Sequence, residues 1–101
     1  MIVYNVTIKL NWDIHQKWLG FMREKHIPDM LNTGLFHGHK MFRMMEENES
    51  DGVTYSMQYY FQNMEDYFTY QNDFASELQK EHEDLFEKKY LTMNEVNLGS
   101  V

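Results

Sequence analysis

A chain of 101 residues has the usual length of one domain, so residues 1–101 are expected to form a single domain around one core, and 43% apolar with 16% aromatic content excludes a disordered polymer. Sixteen acidic residues against nine basic ones give a formal charge of −7, and no basic cluster exceeds Lys88-Lys89, which removes the electrostatic basis for holding nucleic acid. The absence of cysteine excludes disulfides, thiolate metal sites and cysteine nucleophiles. With no membrane-length apolar run and a first segment that looks like a strand, not a secretion signal, a cytoplasmic protein without membrane contact is expected.

The chain opens on strict alternation. Ile2, Tyr4, Val6, Ile8 and Leu10 point one way and Val3, Asn5, Thr7 and Lys9 the other, predicting a half-buried strand over residues 2–10 with a more polar second face. Asn11 or Asp13 can cap the next segment. There Ile14, Trp18, Phe21 and Met22 share one helical face opposite Lys17, Arg23 and Glu24, the pattern of an amphipathic helix of about 15 residues. Pro28 lacks an N–H and pushes residue 27 out of the helical region, so this helix is expected to end or kink just after His26, Pro28 then starting a turn that Gly34 closes.

Strand-like periods follow over Leu35–Glu46 and Val53–Gln62, joined by the polar segment Glu47–Gly52 as a hairpin. Asn63 offers a helix cap, with Glu65 and Asp66 in the first turn where the helix dipole favours acids. Met64, Tyr67, Phe68, Gln71, Phe74, Ala75, Leu78, His82, Leu85 and Phe86 then form one stripe, and a break near Asn72-Asp73 would leave its register intact. Tyr90–Leu98 closes the chain as a last strand.

The order βαββαβ predicts an α+β, ferredoxin-like sandwich: a four-stranded antiparallel sheet with two helices on one face. The other face needs water or a partner, and a chain this short gains from covering it, so a homodimer is expected.

Two histidines stand out. His82 lies at the centre of the second helix's apolar stripe and should face the sheet. His26 sits at the edge of the first helix's stripe, with His15 on the same edge, so His26 and His82 can look into one space between adjacent helices. Two imidazoles beside a pocket lined by Trp18, Met22, Tyr4, Tyr59 or Tyr55 suit general acid/base work, because histidine titrates near neutral pH. The alternative is a pair of core histidines bonded to a strand tyrosine or a backbone carbonyl.

His37 and His39 would share one face of a strand, but a third ligand is missing from the neighbourhood and Gly38 interrupts the spacing, so no metal site is expected. The acids at 46, 47, 49 and 51 cluster in a loop, and no nucleophile elbow, phosphate-cradling glycine loop or H-E-x-x-H is present. Nine methionines suit an adaptable core or a pocket for apolar ligands.

Ile2-Val3-Tyr4-Asn5-Val6-Thr7, Trp18-Leu19, His26-Ile27-Pro28, Thr33-Gly34-Leu35-Phe36 and Glu81-His82 together resemble the small bacterial domain-of-unknown-function family 4286, a branch of the dimeric α/β-barrel superfamily. The resemblance implies that two subunits pack sheet to sheet into a barrel. The superfamily includes cofactor-free monooxygenases that oxidise polyketide aromatics, a muconolactone isomerase, haem-binding chlorite dismutase-like proteins and stress-responsive barrels. Bulky Trp18, Phe21 and Phe68 on the helix faces argue against haem, and no cofactor is expected.

Three functions follow as expectations: binding of a small, partly apolar or aromatic ligand in a helix–sheet cavity; cofactor-independent monooxygenase or isomerase chemistry on a small aromatic substrate, with His82 and His26 as catalytic groups; or a structural protein without a ligand.

Overall fold

The computed structural model describes residues 1–98. β1 (Ile2–Leu10) is the hub of the sheet. It pairs antiparallel with β3 (Val53–Phe61) from Ile2 opposite Phe61 to Leu10 opposite Val53, and on its other side with β4 (Tyr90–Leu98) from Leu98 to Tyr90. β2 (Gly38–Met44) joins the outer edge of β3, giving the order β2-β3-β1-β4. This is the ferredoxin-like α+β arrangement. Because side chains alternate, the register lines up Ile2, Tyr4, Val6, Ile8 and Leu10 with Phe61, Tyr59, Met57, Tyr55 and Val53 on the face that the helices cover.

The first helical run departs from expectation at Pro28. A short 3-10 turn (Trp12–Ile14) leads into α1 (His15–Phe21), which passes through a π-helical turn at Met22–His26 straight into α2 (Ile27–Asn32). The helix does not end. Pro28 falls in the first turn of α2, where its missing N–H costs little. The bond just before it spans five residues instead of four, from the Ile27 N–H to the Met22 carbonyl. That extra residue resets the stripe, so Ile27 and Met30 return to the core side below Trp18 and Met22. Gly34, at φ +77°, then turns the chain as only glycine does freely.

β2 is shorter than the pattern Leu35–Glu46 suggested. Phe36 lies before it and packs on Phe61 with ring centroids 4.4 Å apart, so its hydrophobicity serves the core and not the ladder. β3 ends at Phe61, one residue short of Gln62. Gly52 ends the connecting loop because a Cβ there would meet the Leu10 carbonyl oxygen at 2.5 Å.

The Asn63 side chain caps α3 (Met64–Asp73) by accepting the Asp66 N–H at 2.9 Å. Phe74 leaves helical geometry at φ −125°, ψ −35°, and α4 (Ala75–Phe86) starts in a new direction. The stripe expected to run unbroken from Met64 to Phe86 is split by this corner: Met64, Phe68 and Leu85 are exposed, and Tyr70, outside the stripe, is buried.

The second sheet face is mixed. Its centre is polar, with Ser56 donating to Asn5 Oδ1 at 2.9 Å and Asn5 Nδ2 donating to Thr7 at 3.2 Å. Its margins carry Phe42 and Met44 on β2 and Leu91 and Met93 on β4, the last two 76% and 64% exposed. Among the described residues no helix is long and apolar enough to cross a membrane.

Candidate functional site

The π-helical turn and α4 run side by side over β1 and β4, and each presents a histidine to the space between. His26 is buried, His82 partly so, and their ring centroids lie 6.0 Å apart at 64°. Phe21 packs against both rings, while Phe86 and Tyr90 hold His82 at 5.0 and 4.6 Å. Trp18, fully buried on α1, donates its indole N–H to His82 Nε2 at 2.9 Å. His26 Nδ1 is buried without a hydrogen-bond partner.

Both rings are held neutral at pH 7. Burial lowers the pKa of His26 to about 4, with Lys25 adding to the effect and Asp29 opposing it. Burial likewise lowers His82 to about 4, helped by His26 and opposed by Glu83.

A cavity of about 470 Å³ opens beside the pair, between helices and sheet, and both histidines line it. Tyr4 and Tyr59 lie side by side on its floor at 6.2 Å, and Tyr70 of α3 closes on Tyr4 at 6.0 Å. Met22, Met30 and Met57 supply its apolar wall. Asn94 donates to the Tyr4 hydroxyl at 3.1 Å. Burial raises the Tyr4 pKa, and the Gln71 and Gln79 amides act against the rise; burial pushes Tyr59 and Tyr70 well above the usual phenol range. At the rim the Tyr90 hydroxyl donates to Glu83, which together with burial drives Tyr90 up to about 12.

Of the residues singled out by sequence, His26, His82, Met22, Tyr4 and Tyr59 meet in this cavity. Trp18 does not line it and stands behind His82. Tyr55 is elsewhere: its hydroxyl lies 2.7 Å from His15 Nε2, and its ring packs on Trp18 at 5.1 Å. His37 and His39 are exposed at the start of β2, His39 stacked over Tyr59 at 6.4 Å. Among the described residues no three His, Cys, Asp or Glu side chains gather as metal ligands would.

Sequence reasoning missed Tyr70, Gln79, Thr92 and Asn94. The last two carried a signal, since alternation through Tyr90–Leu98 puts polar Thr92 and Asn94 on the helix-covered face, where polar side chains need a reason.

Similar folds recur in solved structures. An ethyl tert-butyl ether degradation (EthD) family protein from Bacillus halodurans superposes with a TM-score of 0.68 at 15% identity, over 99% of this chain and all (100%) of the other. A dimeric ferredoxin-like protein from an uncultured marine organism gives 0.70 at 12% identity, over 100% and 96%. Hydroxynitrile lyase from Passiflora edulis gives 0.66 at 17% identity, over 99% and 96%. No curated protein matches the sequence. Residues 1–98 match the family described as Domain of unknown function (DUF4286), and the chain belongs to that family.

Proposed function

We propose that the protein binds a small, partly apolar ligand in the cavity between its helices and sheet, with His26 and His82 orienting the ligand's polar atoms. The observation that carries this is the cavity itself. Its volume of about 470 Å³ falls within the range of roughly 300–1,000 Å³ usual for small-molecule sites, and methionine and aromatic walls with a few convergent polar groups are the usual lining. His26 Nδ1, which has no protein partner among the described residues, adds a polar anchor to that lining.

The test uses Trp18 as reporter, since its N–H bond to His82 ties its emission to the site. A panel of small aromatic compounds is expected to shift that emission saturably. Read in a Trp12→Phe background that leaves Trp18 as the one tryptophan, Thr92→Phe, which fills the cavity from β4, should abolish the response while leaving the circular dichroism spectrum native. A filled variant that binds as well as the parent would place the ligand elsewhere and end this reading.

The open sheet face supports a homodimer, as do the dimeric ferredoxin-like proteins of similar fold. Its apolar margins around a polar centre suit pairing with a second copy, which sedimentation equilibrium would register as twice the chain mass. The lack of cysteine suits the cytoplasm.

Acid/base catalysis on a small aromatic substrate is the second reading, and one observation favours it: a buried, neutral His26 whose Nδ1 is unpartnered is a base candidate. Turnover lost in His26→Gln with ligand binding retained would establish it.

A further inference from the structure

Trp18 decides which proton His82 carries. An indole nitrogen can only donate, so the His82 Nε2 it meets at 2.9 Å must present its lone pair, and the neutral ring carries its hydrogen on Nδ1. Trp18 lies outside the cavity lining and His82 within it, and with Nε2 taken by Trp18 the Nδ1 hydrogen is the one His82 has left to give. His82 thus serves the site as a donor.

The far end has the same polarity. The Tyr4 oxygen accepts from Asn94 Nδ2, which leaves the phenol's own hydrogen to give. Tyr59 and Tyr70 share this end and stay protonated, since burial disfavours their anions.

Among the described residues, the charged groups on the lining are Lys80 and Glu83. Both touch the rim, but Lys80 is exposed and paired with Asp84 at 2.9 Å, and Glu83 receives the Tyr90 hydroxyl. An anionic ligand would have to draw Lys80 from Asp84 and a cationic one Glu83 from Tyr90, and a buried unpaired charge is among the costliest things a protein can hold.

We infer that the cavity receives an uncharged carbonyl compound, whose oxygen accepts hydrogen bonds from His82 Nδ1–H and from the Tyr4 hydroxyl, one at each lone pair, with Trp18 as the positioning residue that fixes the His82 tautomer. This rests on the cavity being a binding site and specifies the chemistry it selects. An alcohol oxygen can take the same two bonds but must also place its own hydrogen, for which the lining offers His26 Nδ1, and a hydrocarbon would leave both donors unpaired.

The experiment has two parts. Imidazole ¹⁵N shifts of the parent protein are expected to show His82 as the Nδ1–H tautomer, and Trp18→Phe should redistribute the proton toward Nε2; should that variant fail to fold, the parent spectrum alone decides. Binding is then compared for 1-tetralone, 1-tetralol, tetralin and 1-naphthoate, which share a bicyclic frame and differ in the polar group.

The ketone is expected to bind at least about tenfold more tightly than tetralin and 1-naphthoate, the equivalent of a single buried hydrogen bond, with 1-tetralol between. Tyr4→Phe should shrink its advantage over tetralin. If the alcohol, hydrocarbon or carboxylate binds as tightly as the ketone, or if His82 carries its hydrogen on Nε2, this inference is overturned while the cavity stands as a ligand site. If none of the four binds, the ligand-site reading falls and this one with it.

Discussion

Two histidines about three turns apart on one helical run meet opposite fates. His15, near the start of α1, sits in a closed aromatic cluster: its Nε2 lies 2.7 Å from the Tyr55 hydroxyl, Trp12 meets its ring edge-on at 5.4 Å, and the Arg43 guanidinium stacks over Trp12. His26, on the π-helical turn, has a buried nitrogen with no partner and a cavity at its side. Both rings are shifted toward the neutral form, mainly by burial, yet one is satisfied and the other is not. A depressed histidine pKa therefore says only that the ring is out of water. Where its hydrogen bonds go tells whether it belongs to packing or to a site.

Trp18 joins the two environments, with its ring against Tyr55 on one side and its N–H on His82 on the other. Trp18→Ala is expected to cost about 3–5 kcal/mol in chemical denaturation, the range for truncating a buried aromatic residue, and to loosen both ends together. A loss below about 1 kcal/mol, against the same expectation, would show that the two ends are independent.

Acid separates the histidines more gently. With a folded pKa of about 4 against an ordinary 6.5, His26 binds its proton more readily in the unfolded chain, so its contribution is fully present above pH 6.5 and lost as pH falls toward 4. The slope in that window is at most about 1.4 kcal/mol per pH unit, and His82 acts with the same sign. Chemical denaturation of His26→Phe across these pH values should show a flatter profile than the parent. Equal slopes would mean that His26 is not protected from protonation by the fold.

The smallest effect is expected on the satisfied side. Tyr55→Phe leaves His15 Nε2 without its partner and should cost about 1–2 kcal/mol, measured by denaturation, with 1-tetralone affinity unchanged. A change in that affinity would erase the distinction between the packed end and the open one.

The sheet was legible because alternation in residues 2–10, 53–61 and 90–98 is local and its faces follow from parity alone. The meeting of His26 and His82 was legible too, since each helix announced its inner face. What escaped depended on departures from regular helix. The corner at Phe74 rotates α3 against α4, so a single stripe wrongly placed Phe68 inside and left out Tyr70. The bond from Trp18 to His82 spans 64 positions and depends on how two helices pack, which no local period encodes. Asn94 was hidden for a different reason: it stands opposite Val6 on β1, and its bond runs diagonally to Tyr4, two residues along that strand.

The π-helical turn between Met22 and His26 also bears on how the family can vary in length. It holds one residue more than an ordinary turn, and that surplus is what lets Ile27 resume the packing line from Met22. Losing one of the exposed residues Arg23, Glu24 or Lys25 would close the turn into regular helix and leave Ile27 and Met30 where the core needs them, with His26, bonded to Ile27, still beside that line. A homologue one residue shorter at this point keeps the packing line from Met22 to Ile27, so the exposed side of this turn is where the first helical run can absorb a change in length.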